Sequence, residues 1–173
     1  NGHYELSGLA AGTYHVRFED NSGAYAPEVY DDVSGSDIWN HGADIDVGES
    51  AAVSGINAAL GLASKITGMV TGPDGTSPLA DVYVESANVS TWEWGPSTYT
   101  DENGHYELSG LAAGTYHVRF VDDSGAYASE VYDDVPGSEM WNHGADVVVG
   151  ESATVSGINA ALALASKITG KVT

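Results

Sequence analysis

The sequence repeats itself, and this repeat constrains the fold more than any other feature. Residues 1–71 recur at 103–173 with an offset of 102, and eleven differences among the 71 aligned positions leave 60 identical. Residues 72–102 have no second copy, so the 173-residue chain holds one full period and about seven tenths of another. The fold must therefore be built from a unit of about 102 residues, whose boundaries have to be found within the chain.

Alternating apolar and polar residues predict short β-strands throughout one period. Val82 and Val84 are expected to face the core, whereas Glu85, His117 and Arg119 are expected to face outward. Clusters rich in Gly, Pro and Asp, such as GPDGTSPL and DENG, separate these runs as turns. We predict strands over 65–71, 81–86, 105–111, 115–122 and 128–135, and further strand structure between 145 and 164.

A helix competes with a strand only in the last stretch of the period. The eight residues INAALALA at 158–165 follow a strand pattern, so a strand is favoured. The inward positions Ala153 and Val155 shift in parity at Ile158, and a bulge at Ser156–Gly157 accounts for the shift. The predicted class is all-β, with about seven short strands per 102-residue repeat arranged as an immunoglobulin-like β-sandwich.

This order of strands sets the expected domain boundaries. One complete sandwich is expected over residues 65–166, preceded by the later strands of another sandwich at 1–64. Residues 167–173 then correspond to the first strand of a following repeat. Because 1–64 lacks the strands that 65–102 supplies, we expect it to pack against the equivalent residues of another copy, head to tail.

Two phrases carry a resemblance to a known family. KITGMVTGPDGTSPLADVYVES at 65–86 and TDENGHYELSGLAAGTYHVRF at 100–120 resemble the carboxypeptidase regulatory-like domain, a transthyretin-like (prealbumin-like) β-sandwich found in tandem on bacterial surface proteins. The phrase G-x-Y-x-L-x-G-L-x-x-G-x-Y is fairly specific for that family. The resemblance spans the whole period and implies a non-catalytic spacer, stalk or adhesive unit.

The charge balance excludes two kinds of partner. The chain has 25 Asp and Glu against 5 Lys and Arg, a net charge of -20, which repels the phosphates of nucleic acid. No apolar run reaches the roughly 18 residues of a membrane span, so membrane insertion is not expected. The absence of Cys removes disulfides and thiol chemistry.

Candidate catalytic residues are present, but their spacing matches no catalytic pattern. Glu93, Glu107 and Glu130 are the candidates for the paired carboxylates of glycoside hydrolysis, yet acids at outward strand positions are usually solvated. His105 and His117 are expected to be exposed, and the metal-binding H-E-x-x-H pattern does not occur. The G-x-S-x-G elbow of a serine nucleophile is also missing. We predict that this chain is not an enzyme.

Acidic residues between 132 and 151 are the candidates for a cation site. The triplet YDD at 132–134, with Glu139, Asp146 and Glu151, supplies the hard oxygen ligands that suit Ca²⁺. The EF-hand spacing is absent, and TDENG is typical of a hairpin turn. No cofactor and no set of metal ligands is assigned, and Ca²⁺ binding stays as an alternative.

Four aromatic residues form the candidate interaction surface. Trp92, Trp94 and Tyr99 lie in one short segment, and Trp92 and Trp94 share a side if that segment is extended. Exposed aromatic rings stack on sugars, but rings of this kind also cover a sandwich edge or pack on a neighbouring domain, which is favoured here. Trp141 recurs once per period in the phrase W-N-H-G-A-D and is interpreted as a loop anchor.

Two functions remain from the sequence. The first is an extracellular or cell-surface structural protein in which tandem sandwiches form a stalk, fibre or adhesin, with further copies of the repeat as partners. The second is a carbohydrate- or Ca²⁺-dependent binding module attached to a surface enzyme, with a glycan or another cell-surface ligand as partner. The first is preferred because the repeat and the resemblance both favour it.

Overall fold

The computed structural model describes residues 2–31, 33–34, 42–137 and 144–173. Within these ranges every regular secondary-structure element is a β-strand, as the sequence predicts. None of these residues forms a helix of the length and apolarity needed to cross a membrane. The strands, in chain order, are β1 (Gly12–Tyr14), β2 (Arg17–Phe18), β3 (Glu28–Val29), β4 (Val33–Ser34), β5 (Ile45–Val47), β6 (Ser64–Thr71), β7 (Tyr83–Asn88), β8 (Trp94–Tyr99), β9 (His105–Leu111), β10 (Gly114–Val121), β11 (Glu130–Val131), β12 (Val135–Pro136), β13 (Val147–Val149), β14 (Thr154–Ser156) and β15 (Ala160–Ala161).

Residues 64–164, which we call the two-sheet body, form two facing sheets. In the first sheet β6 is central, with β9 antiparallel on one side and with β14 and β15 parallel on the other. Thr154 lies opposite Lys65, and Ala160 lies opposite Val70. The beginning and the end of the body therefore run side by side in the same direction.

The stretch from 154 to 162 is strand-like and interrupted, which confirms two expectations. Gly157 has a φ of 82° between β14 and β15, a conformation that glycine adopts without steric cost. Beyond this break Ile158 and Leu162 are buried, so the inward parity shifts as predicted. The interruption lies at the predicted position, and beyond it the even-numbered residues, beginning with Ile158, face the core.

The second sheet is built around β10. β7 pairs antiparallel with β10 from Tyr116 to Val121, and β8 follows β7 as its antiparallel neighbour. β13 pairs with the first half of β10, and β11 with its end, where Phe120 lies opposite Glu130. β12 then pairs with β11 at the edge. β10 is thus the strand through which the later part of the chain joins β7 and β8.

The core lies between the two sheets and contains the side chains that alternation predicts to be inward. Burial of one Val, Leu, Ile or Phe side chain contributes about 1.5–3 kcal/mol. The first sheet contributes Ile66, Val70, Tyr106, Leu108, Leu111, Ile158, Ala160 and Leu162, and the second contributes Val84, Tyr116, Val118, Phe120, Val147 and Val149, with Val82 just before β7. The two sheets thus form the predicted sandwich.

The outward face of the second sheet is more covered than predicted. Glu85 and His117 are both 7% exposed, so the expectation that His117 is exposed is wrong. Glu85 pairs with Arg119 on the adjacent strand, and His117 Nε2 lies 3.1 Å from Asp146 Oδ1. These side chains point away from the core, but their contacts with Arg119 and Asp146 hold them against neighbouring groups that shield them from water.

The strand predicted over 128–135 is instead a short hairpin. Only Glu130–Val131 and Val135–Pro136 are extended, and they pair with each other as β11 and β12. The intervening residues turn, and Asp134 has a φ of 57°, which an extended strand does not contain. The acidic YDD triplet therefore lies in the turn of a hairpin.

Residues 2–62, which we call the N-terminal segment, form a smaller set of strands. β1 pairs with β5, and β2, β3 and β4 form a three-stranded antiparallel sheet. Residues 3–9, whose counterparts form the whole of β9, are not in a strand here. The same sequence therefore has two local structures in one chain.

The connection between segment and body has no free linker. Ala63 N donates to Ala24 O of the segment at 2.9 Å. The next residue, Ser64, donates from Oγ to Gly150 O at 2.6 Å, and Lys65 N donates to Ala153 O at 2.9 Å. Consecutive residues are thus hydrogen-bonded on opposite sides of the junction.

Candidate functional site

The aromatic surface predicted from the sequence lies around the β7–β8 hairpin. Trp92, Trp94 and Tyr99 are each about half exposed. The backbone at Trp92 has a φ of 59°, and Trp92 N donates to Asn88 O at 2.8 Å, so this residue belongs to the turn. The segment is not extended at Trp92, and the condition for Trp92 and Trp94 to share a side is not met.

A bulge places Trp94 and Tyr99 on the same face of the second sheet. The register between β7 and β8 shifts between Glu85 and Ala87, so that Tyr83 lies opposite Tyr99 while Ala87 lies opposite Trp94. Without the extra residue, positions five apart would point to opposite faces. Both rings therefore lie on the outer face.

We call Tyr83, Trp94, Tyr99 and Arg119 the outer aromatic strip. The rings of Tyr83 and Tyr99 are 5.2 Å apart at an interplanar angle of 51°. The Arg119 guanidinium lies 5.6 Å from the Trp94 ring centroid and also pairs with Glu85. A cation–π contact at an exposed site contributes about 0.5–1 kcal/mol. The strip therefore combines aromatic rings with a cation held in place by an ion pair. The sequence analysis did not predict the Arg119–Glu85 pair. The signal for it is the opposite charge of two outward residues that lie opposite each other on adjacent strands.

Glu130 is the carboxyl group with the most unusual environment. Burial raises its pKa to about 7, and the negative charges of Asp134 and Asp133 act in the same direction. Its Oε1 is buried and has no hydrogen-bond partner within the described part of the chain. The protonation of Glu130 therefore changes close to neutral pH. The expectation that Glu130 is an outward, solvated acid is wrong, because the pairing of β10 with β11 places it opposite the core residue Phe120.

The three candidate catalytic carboxylates lie on separate elements. Glu107 is on β9 of the first sheet and pairs with Lys65 at 2.9 Å, whereas Glu130 is on β11 of the second sheet. Glu93 lies in the turn before β8, where its carbonyl accepts from Asn88 N at 2.9 Å. These contacts do not bring any two of the three carboxyl groups together as a catalytic pair.

The candidate Ca²⁺ ligands are also spread. Asp146 Oδ1 contacts His117, and Glu139 lies outside the described residues, as does Trp141 of the candidate interaction surface. Within the described ranges no group of three or more His, Asp or Glu side chains is placed to hold a metal ion.

A wide concave surface lies in the N-terminal segment. We call it the open groove; it is lined by residues 3–9 and 53–60 and floored by Tyr14, Val16 and Phe18. Tyr4 OH donates to Ile56 O at 2.7 Å across it. The corresponding surface of the two-sheet body is filled by β6, which pairs with β9 on one side and β14 on the other.

The family comparison agrees with the resemblance seen in the sequence. The carboxypeptidase regulatory-like domain profile matches residues 65–162. Among solved structures, the Bacillus anthracis TIE protein is 15% identical with a TM-score of 0.44, covering 92% of this chain and 26% of that one. GBS52, the minor pilin of Streptococcus agalactiae, is 14% identical with a TM-score of 0.44, covering 97% of this chain and 66% of that one.

The chain thus spans about a quarter of the TIE protein and just under two thirds of GBS52. No curated protein sequence gives a significant match. The profile match covers more than half of the residues and includes both phrases that carry the resemblance. The chain belongs to the carboxypeptidase regulatory-like domain family.

Proposed function

We propose that the chain is a non-catalytic structural repeat of an extracellular or cell-surface stalk, fibre or adhesin. Its 102-residue units follow one another head to tail, with one complete unit at 65–166, the later strands of another at 1–64 and a first strand at 167–173. Family membership and the sequence repeat both support this proposal. Its partners are other copies of the same repeat.

The junction between segment and body is the observation that carries the proposal. Ala63 is hydrogen-bonded to a loop of the N-terminal segment, and Ser64 and Lys65 are hydrogen-bonded to loops of the two-sheet body. The same bond recurs one period later, where Ala165 N donates to Ala126 O at 2.9 Å. A flexible coil requires residues free of such bonds, so the junction favours a fixed angle between units and hence a stiff array.

The placement of the acidic groups supports a non-catalytic role. Glu107 pairs with Lys65, Glu130 lies on the other sheet and Glu93 belongs to a turn. A glycosidase needs two carboxyl groups about 5–10 Å apart across the substrate. Glu107 instead serves an ion pair, and Glu93 belongs to a turn.

Small-angle scattering tests the stiffness of the junction. We expect the parent chain to scatter as one particle with a fixed arrangement, whereas a variant with a Gly-Ser spacer between Ala63 and Ser64 should scatter as two jointed parts. The spacer variant is the matched control because it leaves both sets of hydrogen bonds in place. Indistinguishable, freely jointed profiles for the two proteins would refute the proposal.

The outer aromatic strip favours a second candidate function, a carbohydrate- or Ca²⁺-dependent binding module attached to a surface enzyme. Trp94 and Tyr99 are half exposed on one face, and aromatic rings of this kind stack on sugar rings. A glycan array with and without Ca²⁺ separates the candidates. A spacer gives no selective signal in either condition, whereas selective binding lost in Trp94→Ala would replace the first proposal with the second.

A further inference from the structure

The N-terminal segment touches the two-sheet body at a second place, away from the chain connection. A loop at residues 20–26, which we call the exit loop, lies against residues 109–113, which we call the entry turn. A Cβ atom placed on Gly23 would lie 3.1 Å from Ser109 Oγ and 3.9 Å from the backbone nitrogen of Gly110. Even one added carbon atom would be crowded there, so the loop and the turn pack directly against each other.

The exit loop is held in one conformation by its own hydrogen bonds. Asp20 Oδ2 accepts from the backbone N–H of Ala24 at 2.9 Å, and Gly23 N donates to Asp20 O at 3.1 Å. An Asp side chain commonly closes a turn by bonding to nearby backbone groups. Ala63 N donates to Ala24 O at 2.9 Å, which ties the loop to the residues that lead into β6. The loop and the connection therefore form one hydrogen-bonded piece.

The entry turn is fixed to the core of the two-sheet body. Leu111 is 1% exposed and lies opposite Ser64 at the start of β6. Tyr116 on β10, itself buried, donates from its hydroxyl group to Ala112 O at 2.9 Å. The turn thus offers the exit loop a surface whose position is set by buried contacts.

This contact restricts a motion that the chain connection leaves less restrained. The hydrogen bonds of residues 63–65 hold the two parts together along the path of the chain. A contact beside that path acts with a longer lever arm against rotation about it. Ser109 provides such a contact, because it lies on β9, the strand next to β6. The two contacts together fix both the direction and the rotation of the segment relative to the body.

Both halves of the contact occur in each copy of the repeat. The loop reads DNSGAYA at 20–26 and DDSGAYA at 122–128, and the turn reads SGLAA at both 109–113 and 7–11. In the body, the loop at 122–128 pairs with Leu164 just beyond β15, whereas the entry turn lies beside Ser64 at the start of β6. A repeat therefore carries the loop at one end and the turn at the other.

We propose that the exit loop of one repeat docks on the entry turn of the next repeat in the chain, and that this docking sets the angle between them. The partner of the loop is thus a further copy of the same repeat, met head to tail. The proposal rests on the function proposed above, because it assigns the residues that align successive units of the array.

The two proposals can fail separately. Selective glycan binding that is lost in Trp94→Ala would replace the proposed function and leave the docking intact, because Trp94 belongs to β8 and to neither docking element. A stiff junction in a chain whose exit loop does not contact the entry turn would remove only the docking.

Disulfide formation within the 173-residue chain measures the docking. A Cβ atom at Gly23 would lie 3.7 Å from Ser109 Cβ, and disulfides join Cβ atoms about 3.5–4.5 Å apart. The chain has no native Cys, so Gly23→Cys with Ser109→Cys can form one disulfide per chain. Its equilibrium with glutathione gives the effective concentration of the two thiols. We expect a value at least about a hundredfold above the roughly millimolar value of groups joined by a flexible linker.

Gly125→Cys with Ser109→Cys is the matched control. Gly23 and Gly125 both have a φ of 72°, so a Cys side chain has the same conformational cost at either position. Gly125 lies in the loop at the other end of the unit, and we expect its effective concentration with Ser109→Cys to be at least a hundredfold lower. Equal effective concentrations for the two pairs would overturn the docking.

A second pair of variants tests the exit loop without cysteines. Asp20→Ala removes the carboxylate that closes the exit loop, and we expect it to broaden the distance distribution from small-angle scattering. Asp122→Ala removes the matching bond in the other loop and should leave the distribution unchanged. If both variants scatter like the parent chain, the angle does not depend on the exit loop and the proposal is wrong.

Discussion

The N-terminal segment and the two-sheet body share most of their sequence but not their structure. Residues 105–111 form β9 and bury Leu108, whereas the identical sequence at 3–9 leaves Leu6 exposed and outside any strand. The difference lies in what faces them, because only the body has β6 alongside. The burial of Leu108 therefore depends on β6, which is distant in the sequence, and not on the residues of β9 itself.

Other parts of the repeat form in both places. β3 and β4 pair in the same register as β11 and β12. The loop after β2 and the loop after β10 are each closed by one carboxylate. Asp20 Oδ2 and Asp122 Oδ2 each accept from the backbone N–H four residues later at 2.9 Å. Burial favours a higher pKa for Asp122, but hydrogen bonds from Ser124 and the backbone outweigh it and lower the pKa. Elements closed by local bonds thus do not require β6.

The largest expected effect comes from truncating the two equivalent leucines. Leu108→Ala should destabilise the body by about 2–5 kcal/mol, because it removes buried contacts and leaves a cavity. Leu6→Ala should change stability by less than about 0.5 kcal/mol, since its side chain is exposed. Urea denaturation followed by tryptophan fluorescence measures both, and equal losses would show that the two segments are equally packed.

A pH titration gives an intermediate effect. The pKa of Glu130 is raised to about 7 from an ordinary value of 4.5, so the folded state binds the extra proton between these values. Its contribution to stability is present below about pH 4.5 and is lost as pH rises through 7, on the order of 1–2 kcal/mol after allowance for partial solvation.

Substitution isolates that contribution. Glu130→Gln should flatten the stability difference between pH 5 and 8, as measured by urea midpoints. Glu28→Gln, at the equivalent position on β3, should have a smaller effect because Glu28 is less buried. If both variants keep the full slope of the parent, other groups account for the pH dependence.

The smallest expected effect comes from removing the hydroxyl groups of two equivalent tyrosines. Tyr106→Phe removes a buried bond to Ile158 O and should destabilise the body by about 1 kcal/mol. Tyr4→Phe removes the matching bond in the groove, where water can replace it, and should cost less. Differential scanning calorimetry compares the two, and a larger loss for Tyr4→Phe would contradict the exposure of the groove.

Alternation predicted the core and the all-β class because both depend on neighbours two residues apart. It placed Val82, Val84 and Phe120 inward and located the break before Ile158, all of which the structure confirms. The burial of His117 was not predictable in this way. It depends on Asp146, a partner 29 residues away that the pattern of one strand does not contain.

The aromatic surface shows the same limit. The sequence identified Trp92, Trp94 and Tyr99, but an extended segment was assumed to align the first two. A left-handed turn at Trp92 and a bulge in β8 align Trp94 with Tyr99 instead. Turns and bulges depend on cross-strand register, which one strand's pattern does not determine.

The parallel pairing of β6 with β14 and β15 determines how the body responds to mechanical force. The chain enters at the start of β6 and leaves beyond the end of β15, so the two ends point in opposite directions along adjacent strands. Tension applied through the junctions loads the hydrogen bonds between these strands in shear, and they must break together instead of one at a time. Pulling on single molecules should therefore show high rupture forces, and a body that opened at low force would mean that the load enters elsewhere.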